Sequence, residues 1–248
     1  RDMSASHQAR NEVGRLMQQV EEINSAVAAS ARAASAAGEQ ISMAVGQAGR
    51  CLPFEDIAII VLNHREIQLT HPVLSACADY GIGLYATGHN HQPNGVFLPF
   101  LAHSRTTRLM RKQMDIPRPL AKQAWANIVR RKIENQTAVL RFCAKNGVDR
   151  MDSYARRVRS GDTENLEGQA AAFYFTQLFG QGFYRAEERW ANAALDYGYA
   201  VLRGAIARGL VAHGMHPPIG LFHASEQNAF NLADDLIEPF RPLVDLHV

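Results

Sequence analysis

Residues 232–245 have the sequence LADDLIEPFRPLVD, and this stretch decides how the rest of the chain is interpreted. It predicts a short helix on which Asp234 and Asp235 lie one turn before Glu238, on nearly the same face. Two prolines then interrupt the helix, because proline has no N–H to donate at an interior position. Clustered carboxylates repel one another unless a positive group lies among them. The helix therefore presents either a solvated acidic face or part of a cation site.

Two other ligand-type side chains stand out upstream of this helix. Glu167 lies in residues 165–171, NLEGQAA, on an otherwise apolar helix where a carboxylate is costly to bury unless it is paired or binds a cation. His223 ends residues 220–223, GLFH, in a loop that two prolines stiffen. One histidine with two or three carboxylates suits Mg²⁺ or Mn²⁺. Each of these residues taken singly is more often structural.

The chain upstream of Glu167 contains a strand-rich part. Residues 57–62, IAIIVL, predict a buried strand, and residues 82–85 and 96–98 predict two more short strands. Thr70 is predicted to cap a short helix between the first two strands. The sequence therefore predicts a small N-terminal β-rich domain over residues 50–103.

From residue 104 onward the pattern is helical. Long helices are predicted over residues 120–144 and 187–212, and a third helix is predicted to start with Asp162 or Thr163 as its cap. Residues 104–248 are therefore expected to form a mostly α-helical catalytic domain, and the fold class is α+β.

Residues 1–49 differ from everything after them. They contain no proline and no aromatic residue, and small or apolar residues recur in alternating steps of three and four from Val13 to Ala44. This spacing is typical of a heptad seam and predicts a long helix or a helical hairpin. The composition of this segment loosely resembles the cytoplasmic coiled coil of methyl-accepting chemotaxis receptors.

Composition narrows the class of protein. The three cysteines are far apart and odd in number, which argues against a disulfide scaffold and favours a reducing cytoplasm. There is no apolar run of about 18 residues, so neither a transmembrane helix nor a membrane partner is expected.

Charge is unevenly distributed along the chain. Residues 101–160 contain fifteen Lys or Arg against four Asp or Glu, while residues 222–248 contain one Arg against five acids. The basic block is either a phosphate-binding surface or a solvated helical one.

Residues from about 52 to 248 resemble the integrase family of CRISPR adaptation, usually called Cas-one (Cas1). The stretches NLEGQAA, GLFH and LADDLIEPFRPLVD carry the resemblance, together with NAALDYGY at residues 192–199. Residues 52–84 more weakly resemble the N-terminal β domain of the family. The pattern is most similar to the branch found with type I-C and type II systems.

The resemblance implies a site and a reaction. Glu167, His223 and Glu238 would be the ligands of Mg²⁺ or Mn²⁺, with Asp235 or Asp234 as an auxiliary acid. A homodimer would assemble with the Cas-two (Cas2) subunit, bind prespacer DNA and join its 3′-hydroxyl ends to the CRISPR repeat by transesterification. The candidate phosphate contacts are basic residues from two parts of the chain: Arg105, Arg108, Arg111, Lys112, Arg130, Arg131, Lys132, Arg185 and Arg189.

The sequence also departs from the family at both ends. The family begins its β domain with strands where this chain has the heptad-patterned segment, and it usually continues beyond residue 248 with more helix. Two interpretations stay open. One is an active metal-dependent DNA endonuclease and integrase, which the three intact ligand-type residues favour. The other is a catalytically impaired remnant or a helical DNA-binding or interaction scaffold on the same fold, which the missing strands favour.

Overall fold

The computed structural model describes residues 53–64, 66–89, 93–99, 103–187 and 189–248. Of these, residues 53–57 and 66–80 belong to one compact unit, and the others belong to a second. The heptad-patterned helix predicted over residues 1–49 lies outside the described residues. The domain boundaries predicted at residues 49/50 and 103/104 stay predictions.

The first unit contains a 3₁₀ turn, Phe54–Asp56, and helix α1, His71–Asp79. The ring of Phe54 stacks on that of Tyr80, with centroids 5.5 Å apart. Thr70 precedes α1 as predicted, but its side chain makes no capping hydrogen bond to a described residue. A proline in the first turn of α1 presets the helical φ instead, and it has no N–H that needs an acceptor there.

The second unit contains a three-stranded sheet in the order β1, β2, β3, formed by Ile59–Leu62, Gly83–Thr87 and Pro93–Phe97. Strands β1 and β2 are parallel, with Ile59 opposite Gly83. Strands β2 and β3 are antiparallel, with Leu84 opposite Phe97 and an irregularity at Ala86 and Thr87. The three predicted strands are therefore confirmed to within a few residues at each end.

Within the described residues of the second unit, the helical segments follow the order of the sequence pattern. They are α2 Thr106–Met114, α3 Arg118–Phe142, α4 Val148–Arg157, α5 Leu166–Phe179, α6 Trp190–Ala212, α7 Asn231–Ile237, a 3₁₀ turn Glu238–Phe240, and α8 Arg241–Asp245. The mostly helical α+β class is confirmed. No helix in the part of the chain that the structure describes is long and apolar enough to cross a membrane.

The core of the helical part is built around α3. Its buried residues Val129, Ile133 and Leu140 pack with Met151 of α4 and Leu166 of α5. Burying one such side chain contributes about 1.5–3 kcal/mol, so this cluster fixes the rotation of α3 against its neighbours. That rotation determines which polar side chains of α3 face inward.

Candidate functional site

One face of α3 carries three polar or aromatic residues toward the interior. Trp125, Lys132 and Gln136 are 4%, 6% and 1% exposed, and they share a face with Val129 and Ile133. Seven residues span two turns, about 10 Å, so α3 supports two neighbouring parts of one site. Trp125 lies under the loop that carries His223, and Lys132 lies between two carboxylates.

The start of α5 fixes Glu167. The carboxylate of Asp162 accepts hydrogen bonds from the backbone N–H groups of Leu166 and Glu167, each at 2.9 Å. The side chain of Asn165, the N-cap residue, accepts from Gly168 N–H at 3.3 Å. These bonds satisfy three of the N–H groups that have no partner inside the helix. Asn165 is therefore the N-cap residue instead of the predicted Asp162 or Thr163, although the carboxylate of Asp162 also binds the first N–H groups and holds the backbone of Glu167 in place.

Glu238 approaches the same point from the other end of the chain. It follows α7 in the 3₁₀ turn, and Asn135 of α3 holds this turn by donating to Pro239 O at 2.6 Å. The Lys132 ammonium donates to Oε1 of Glu167 and to Oε2 of Glu238. Nε of Arg241 donates to Oε1 of Glu238 at 2.9 Å. Two carboxylates that lie far apart in sequence therefore share one positive charge.

The charges around Glu238 decide its protonation. Burial opposes ionisation of this carboxyl, which is 6% exposed, but Lys132 and Arg241 together outweigh burial. The pKa of Glu238 consequently lies below its usual value. It is a carboxylate at neutral pH and can bind a cation.

His223 is held by Asp235, which is fully buried. Oδ1 of Asp235 accepts from Nδ1 of His223 at 2.8 Å and from the backbone N–H of His223 at 3.1 Å. Oδ2 accepts from the N–H groups of Leu221 and Phe222, at 2.5 and 3.0 Å. The hydrogen bond to Asp235 is the main reason that the pKa of His223 is raised, and the negative charge of Glu238 adds to it. With Nδ1 occupied, Nε2 is the ring nitrogen left to bind a ligand or a proton.

Packing fixes the rest of the His223 loop. The ring of Phe222 lies parallel to Trp125 with centroids 4.1 Å apart, and the ring of His223 meets Trp125 edge-on at 5.7 Å. The buried side chain of Asn231 donates to Pro218 O at 3.0 Å and to Ser225 O at 2.9 Å, on either side of the loop. The position of His223 is thus set from α3 and α7 together.

A cavity of about 240 Å³ opens beside the paired carboxylates. Its polar lining comprises the carboxyl groups of Glu167, Glu238 and Asp245, the basic groups of Lys132, Arg185 and Arg241, and the side chains of Gln136 and Tyr199. Oε1 of Gln136 is a buried atom without a hydrogen-bond partner among the described residues. An oxygen without a partner beside two carboxylates is a donor set that suits a hard divalent cation or its bound water. The two carboxylates are thus of the ligand type that Mg²⁺ or Mn²⁺ would require.

The structure brings together some of the predicted site residues and separates others. Glu167 and Glu238 converge on the cavity, whereas His223 does not line it, although the negative charge of Glu238 contributes to the raised pKa of His223. Asp235 supports His223, whereas Asp234 faces Asn228 at 2.7 Å and Arg203 at 3.6 Å. Among the described residues, no three His, Cys, Asp or Glu side chains are grouped so that they could hold a metal ion in this arrangement. The Lys132 ammonium lies between the two carboxylates that would form such a group.

The predicted phosphate contacts fall into three sets. The first is exposed and comprises Arg105, Arg108, Arg111, Lys112, Arg131 and Arg189. The second is partly buried: Arg130 donates to Val158 O at 3.0 Å, and Arg185 pairs with Asp196. Lys132 forms the third, because its side chain is only 7% exposed. Its predicted placement on the basic surface is wrong, because the rotation of α3 turns it inward.

Helix α2, which carries three of the exposed basic residues, is tied to the loop that leads to His223. The buried Gln113 donates from Nε2 to His216 O at 2.8 Å and to Ile219 O at 2.6 Å, and its Oε1 accepts from His216 N–H at 3.0 Å. Three hydrogen bonds from one side chain fix the basic helix next to this loop. The positive surface therefore lies on an element attached to the candidate site.

Sequence reasoning misses the inward role of Lys132, and it also misses Gln136, Trp125 and Arg241. A signal for the first three is present, since positions 125, 129, 132, 133 and 136 form one helical stripe. A lysine inside an apolar stripe indicates a buried acidic partner. This signal is hard to recognise here, because Lys132 follows two arginines and looks like part of one basic run.

The fold and site define a class: an α+β protein whose helical part carries a carboxylate-lined cavity and a basic surface. Within that class, a family model described as "CRISPR associated protein Cas1" matches residues 26–248. This chain belongs to the Cas1 family. The match includes residues 26–49 of the heptad-patterned segment.

Relatives and solved structures agree with this assignment. The chain is 48% identical over 198 residues to "CRISPR-associated endonuclease Cas1" of Neisseria meningitidis serogroup C (strain 8013), covering 79% of this chain and 65% of that protein. A Cas1 protein from Thermotoga maritima has a similar fold, with a TM-score of 0.64 at 21% identity over 78% of this chain and 67% of that one. A casposase bound to integration product gives a TM-score of 0.65 at 19% identity, over 77% and 59%. The chain thus spans less than two thirds, 65%, of the length of the Neisseria protein.

Proposed function

We propose that this chain is the catalytic subunit of a metal-dependent DNA endonuclease and integrase of CRISPR adaptation. The observation that carries the proposal is the convergence of Glu167 and Glu238 on one positive charge, beside a histidine held by Asp235. Membership of the Cas1 family and the similar folds of a Cas1 protein and a casposase support it. The reaction is attack of a 3′-hydroxyl of spacer DNA on a phosphodiester of the repeat: a new P–O bond joins the spacer, the bond from phosphorus to the 3′-oxygen of the repeat strand breaks, and that oxygen leaves with a proton.

The roles of the residues follow from their positions. Glu167 and Glu238 would hold Mg²⁺ or Mn²⁺, and His223 would complete the ligand set through Nε2. The chemistry that a divalent cation supplies at such a site, when bound, is activation of the attacking oxygen and stabilisation of charge on the phosphoryl group. Asp235 fixes the orientation and tautomer of His223, and Arg241 stabilises the ionised form of Glu238.

The proposed partners are prespacer DNA, the CRISPR repeat, a second copy of the chain and the Cas-two subunit, in the cytoplasm. The exposed basic residues of α2 are the proposed phosphate contacts, because they lie on a helix fixed to the His223 loop. Phosphate contacts position a duplex without selecting its sequence, which agrees with the need to capture varied spacers.

A strand-transfer assay tests the proposal. The chain, the Cas-two subunit and a labelled prespacer are incubated with a repeat-containing plasmid and Mn²⁺, and joined product is measured on a denaturing gel. Glu167→Gln should reduce product by at least about a hundredfold. Glu164→Gln, three residues away, removes an exposed carboxylate paired with Arg157 and should act like the wild type. Equal product from Glu167→Gln and wild type would contradict the proposal; absence of product with retained duplex binding would favour a non-catalytic scaffold.

A further inference from the structure

Lys132 occupies an unusual position for a lysine. Its side chain is 7% exposed, and its ammonium contacts both Glu167 and Glu238, whose side chains are 30% and 8% exposed. A buried ammonium is tolerated only when paired, because its removal from water costs several kcal/mol. Two carboxylates this close also need a positive charge between them. In this state of the protein, Lys132 supplies that charge.

The same two carboxylates are the proposed ligands of a divalent cation. An ammonium and a divalent cation cannot both lie between them, because like charges at such short range repel strongly even in a well-screened site. The ammonium therefore has to leave when the carboxylates take up a metal ion. The structure contains a place for it to go.

Gln136 provides that place. It lies four residues after Lys132 on α3, and side chains at this spacing are neighbours on a helix surface. It lines the same cavity, is 1% exposed, and its Oε1 atom is buried with no hydrogen-bond partner in the part of the chain that the structure describes. A buried polar atom without a hydrogen-bond partner destabilises the folded state, and a donor that reaches it removes this cost. Movement of the flexible lysine chain by one turn would satisfy it.

We propose that Lys132 is an exchangeable counter-cation: it holds Glu167 and Glu238 together before metal binding, and it moves to Oε1 of Gln136 when they bind the metal. The inference rests on the proposed metal ligands. Lys132 is then a positioning residue that keeps the two carboxylates assembled before metal binding. Because its ammonium competes with the metal ion for them, it also weakens metal binding.

Binding of Mn²⁺ measured by isothermal titration calorimetry, without DNA, tests the competition. Lys132→Met removes the competing charge and should tighten Mn²⁺ binding by about tenfold. Lys132→Arg keeps the charge, with a guanidinium that pairs more firmly with carboxylates, and should weaken binding. Arg131→Met is the matched control, since it removes a positive charge one residue away from a side chain that is 68% exposed. It should change the dissociation constant by less than about twofold.

Thermal unfolding provides a second readout that does not depend on activity. Without metal, Lys132→Met should lower the melting temperature, because the two carboxylates lose their shared cation. Saturating Mn²⁺ should raise the melting temperature of this variant by more than that of the wild type. If Lys132→Met does not fold without metal, the Lys132→Arg and Gln136→Met variants still decide the question.

A double-mutant cycle tests the role of Gln136. Gln136→Met removes the receiving oxygen at nearly constant volume and should weaken Mn²⁺ binding by about threefold or more. In the Lys132→Met background the same substitution should have no effect on Mn²⁺ affinity, since no ammonium needs an acceptor. Equal effects in both backgrounds would show that Gln136 acts on the metal directly and would overturn its proposed role.

Two outcomes would overturn the exchange itself. One is weaker or unchanged Mn²⁺ binding in Lys132→Met, and the other is no saturable Mn²⁺ binding in any variant. Neither outcome decides the proposed function, which is read separately from strand transfer by the wild type. An active wild type with unchanged metal affinity in Lys132→Met would reject the exchange and keep the integrase.

Discussion

Asp235 and His223 are joined twice, because one carboxylate oxygen of Asp235 accepts from both the ring Nδ1 and the backbone N–H of His223. The other oxygen accepts from the two preceding N–H groups. One fully buried carboxylate thus organises three consecutive residues of a loop and selects the tautomer of a candidate ligand. Asp235 acts on the site through His223 and takes no place in the cavity.

Replacing Asp235 by Asn should be costly for both stability and activity. The substitution leaves one acceptor oxygen and turns an NH₂ group toward backbone donors, so buried N–H groups lose their partners. We expect a loss of about 1–3 kcal/mol in the free energy of unfolding, measured in urea, and a large loss of strand transfer. Asp234→Asn is the control, because this carboxylate faces Asn228 and Arg203 rather than the loop. Similar losses in both variants would contradict the special role of Asp235.

Gly220 should not tolerate a side chain. A Cβ atom there would meet the carbonyl oxygen of His223 and Oδ2 of Asp235 at distances of 2.2 and 2.9 Å. Both neighbours are fixed, so Gly220→Ala should displace the loop, reduce strand transfer at least about tenfold and lower stability by about 1–3 kcal/mol.

Gly209 provides the comparison for this substitution. It lies within α6, and an added Cβ meets no described atom within 4 Å beyond its chain neighbours and the helix's own backbone. Gly209→Ala should raise the free energy of unfolding by about 0.5–1 kcal/mol, because alanine favours a helix. Wild-type strand transfer by Gly220→Ala would show that the loop geometry is not required.

The limits of sequence reasoning are visible at residues 130–132, which read Arg-Arg-Lys. In the sequence these three residues look like one basic run. In the structure, however, Arg130 is partly buried, Arg131 is exposed and Lys132 is buried. Successive residues on a helix point about 100° apart, so the rotation of α3 against α5 decides which one faces inward. That rotation depends on the packing of Ile133 and Leu166, which lie far apart in sequence.

The elements that the sequence predicts well depend on local signals. The β-branched run of β1 is such a signal, and the strand is confirmed. The carboxylate of Asp162 binds the first N–H groups of α5, but Asn165 is the N-cap residue instead of the predicted Asp162 or Thr163. Helix α4 is not predicted as a separate element, although Met151, Tyr154 and Ala155 give it a buried face. The heptad-patterned segment and the roles of Glu167, His223 and Glu238 in metal binding stay predictions.

The exposed basic residues Arg105, Arg108, Arg111 and Lys112, at and within α2, should dominate the salt dependence of DNA binding. Replacing all four by Ala should flatten the plot of log affinity against log salt by about 0.9 for each phosphate that is no longer neutralised, because fewer counterions are released. Exchanging the three arginines for Lys and the lysine for Arg keeps the charge and should keep the slope. Fluorescence anisotropy with a duplex at several salt concentrations measures it. An unchanged slope in the alanine variant would place the phosphate-binding residues elsewhere.

The last prediction concerns Tyr85, which joins the sheet to α6. Its hydroxyl donates to Gly204 O at 2.6 Å, and the residue is 3% exposed. Burial raises the pKa of Tyr85 from 10.0 to about 12, so folding favours the neutral phenol. A raised pKa gives stability that is complete below the unfolded value of 10.0 and is lost as the pH rises through about 12.

Urea unfolding of the wild type and of Tyr85→Phe, compared at about pH 9 and pH 11, measures this contribution. At the lower pH the variant should be less stable by about 0.5–1.5 kcal/mol, because the hydroxyl–carbonyl hydrogen bond is lost. At the higher pH the wild type should lose about 1.4 kcal/mol relative to the variant, so that the difference shrinks or changes sign, since the unfolded wild type ionises and the folded form does not. Tyr184→Phe, which replaces a tyrosine that is 64% exposed, should follow the wild type at both pH values. Parallel pH dependence of Tyr85→Phe and wild type would show that burial at this position does not control ionisation.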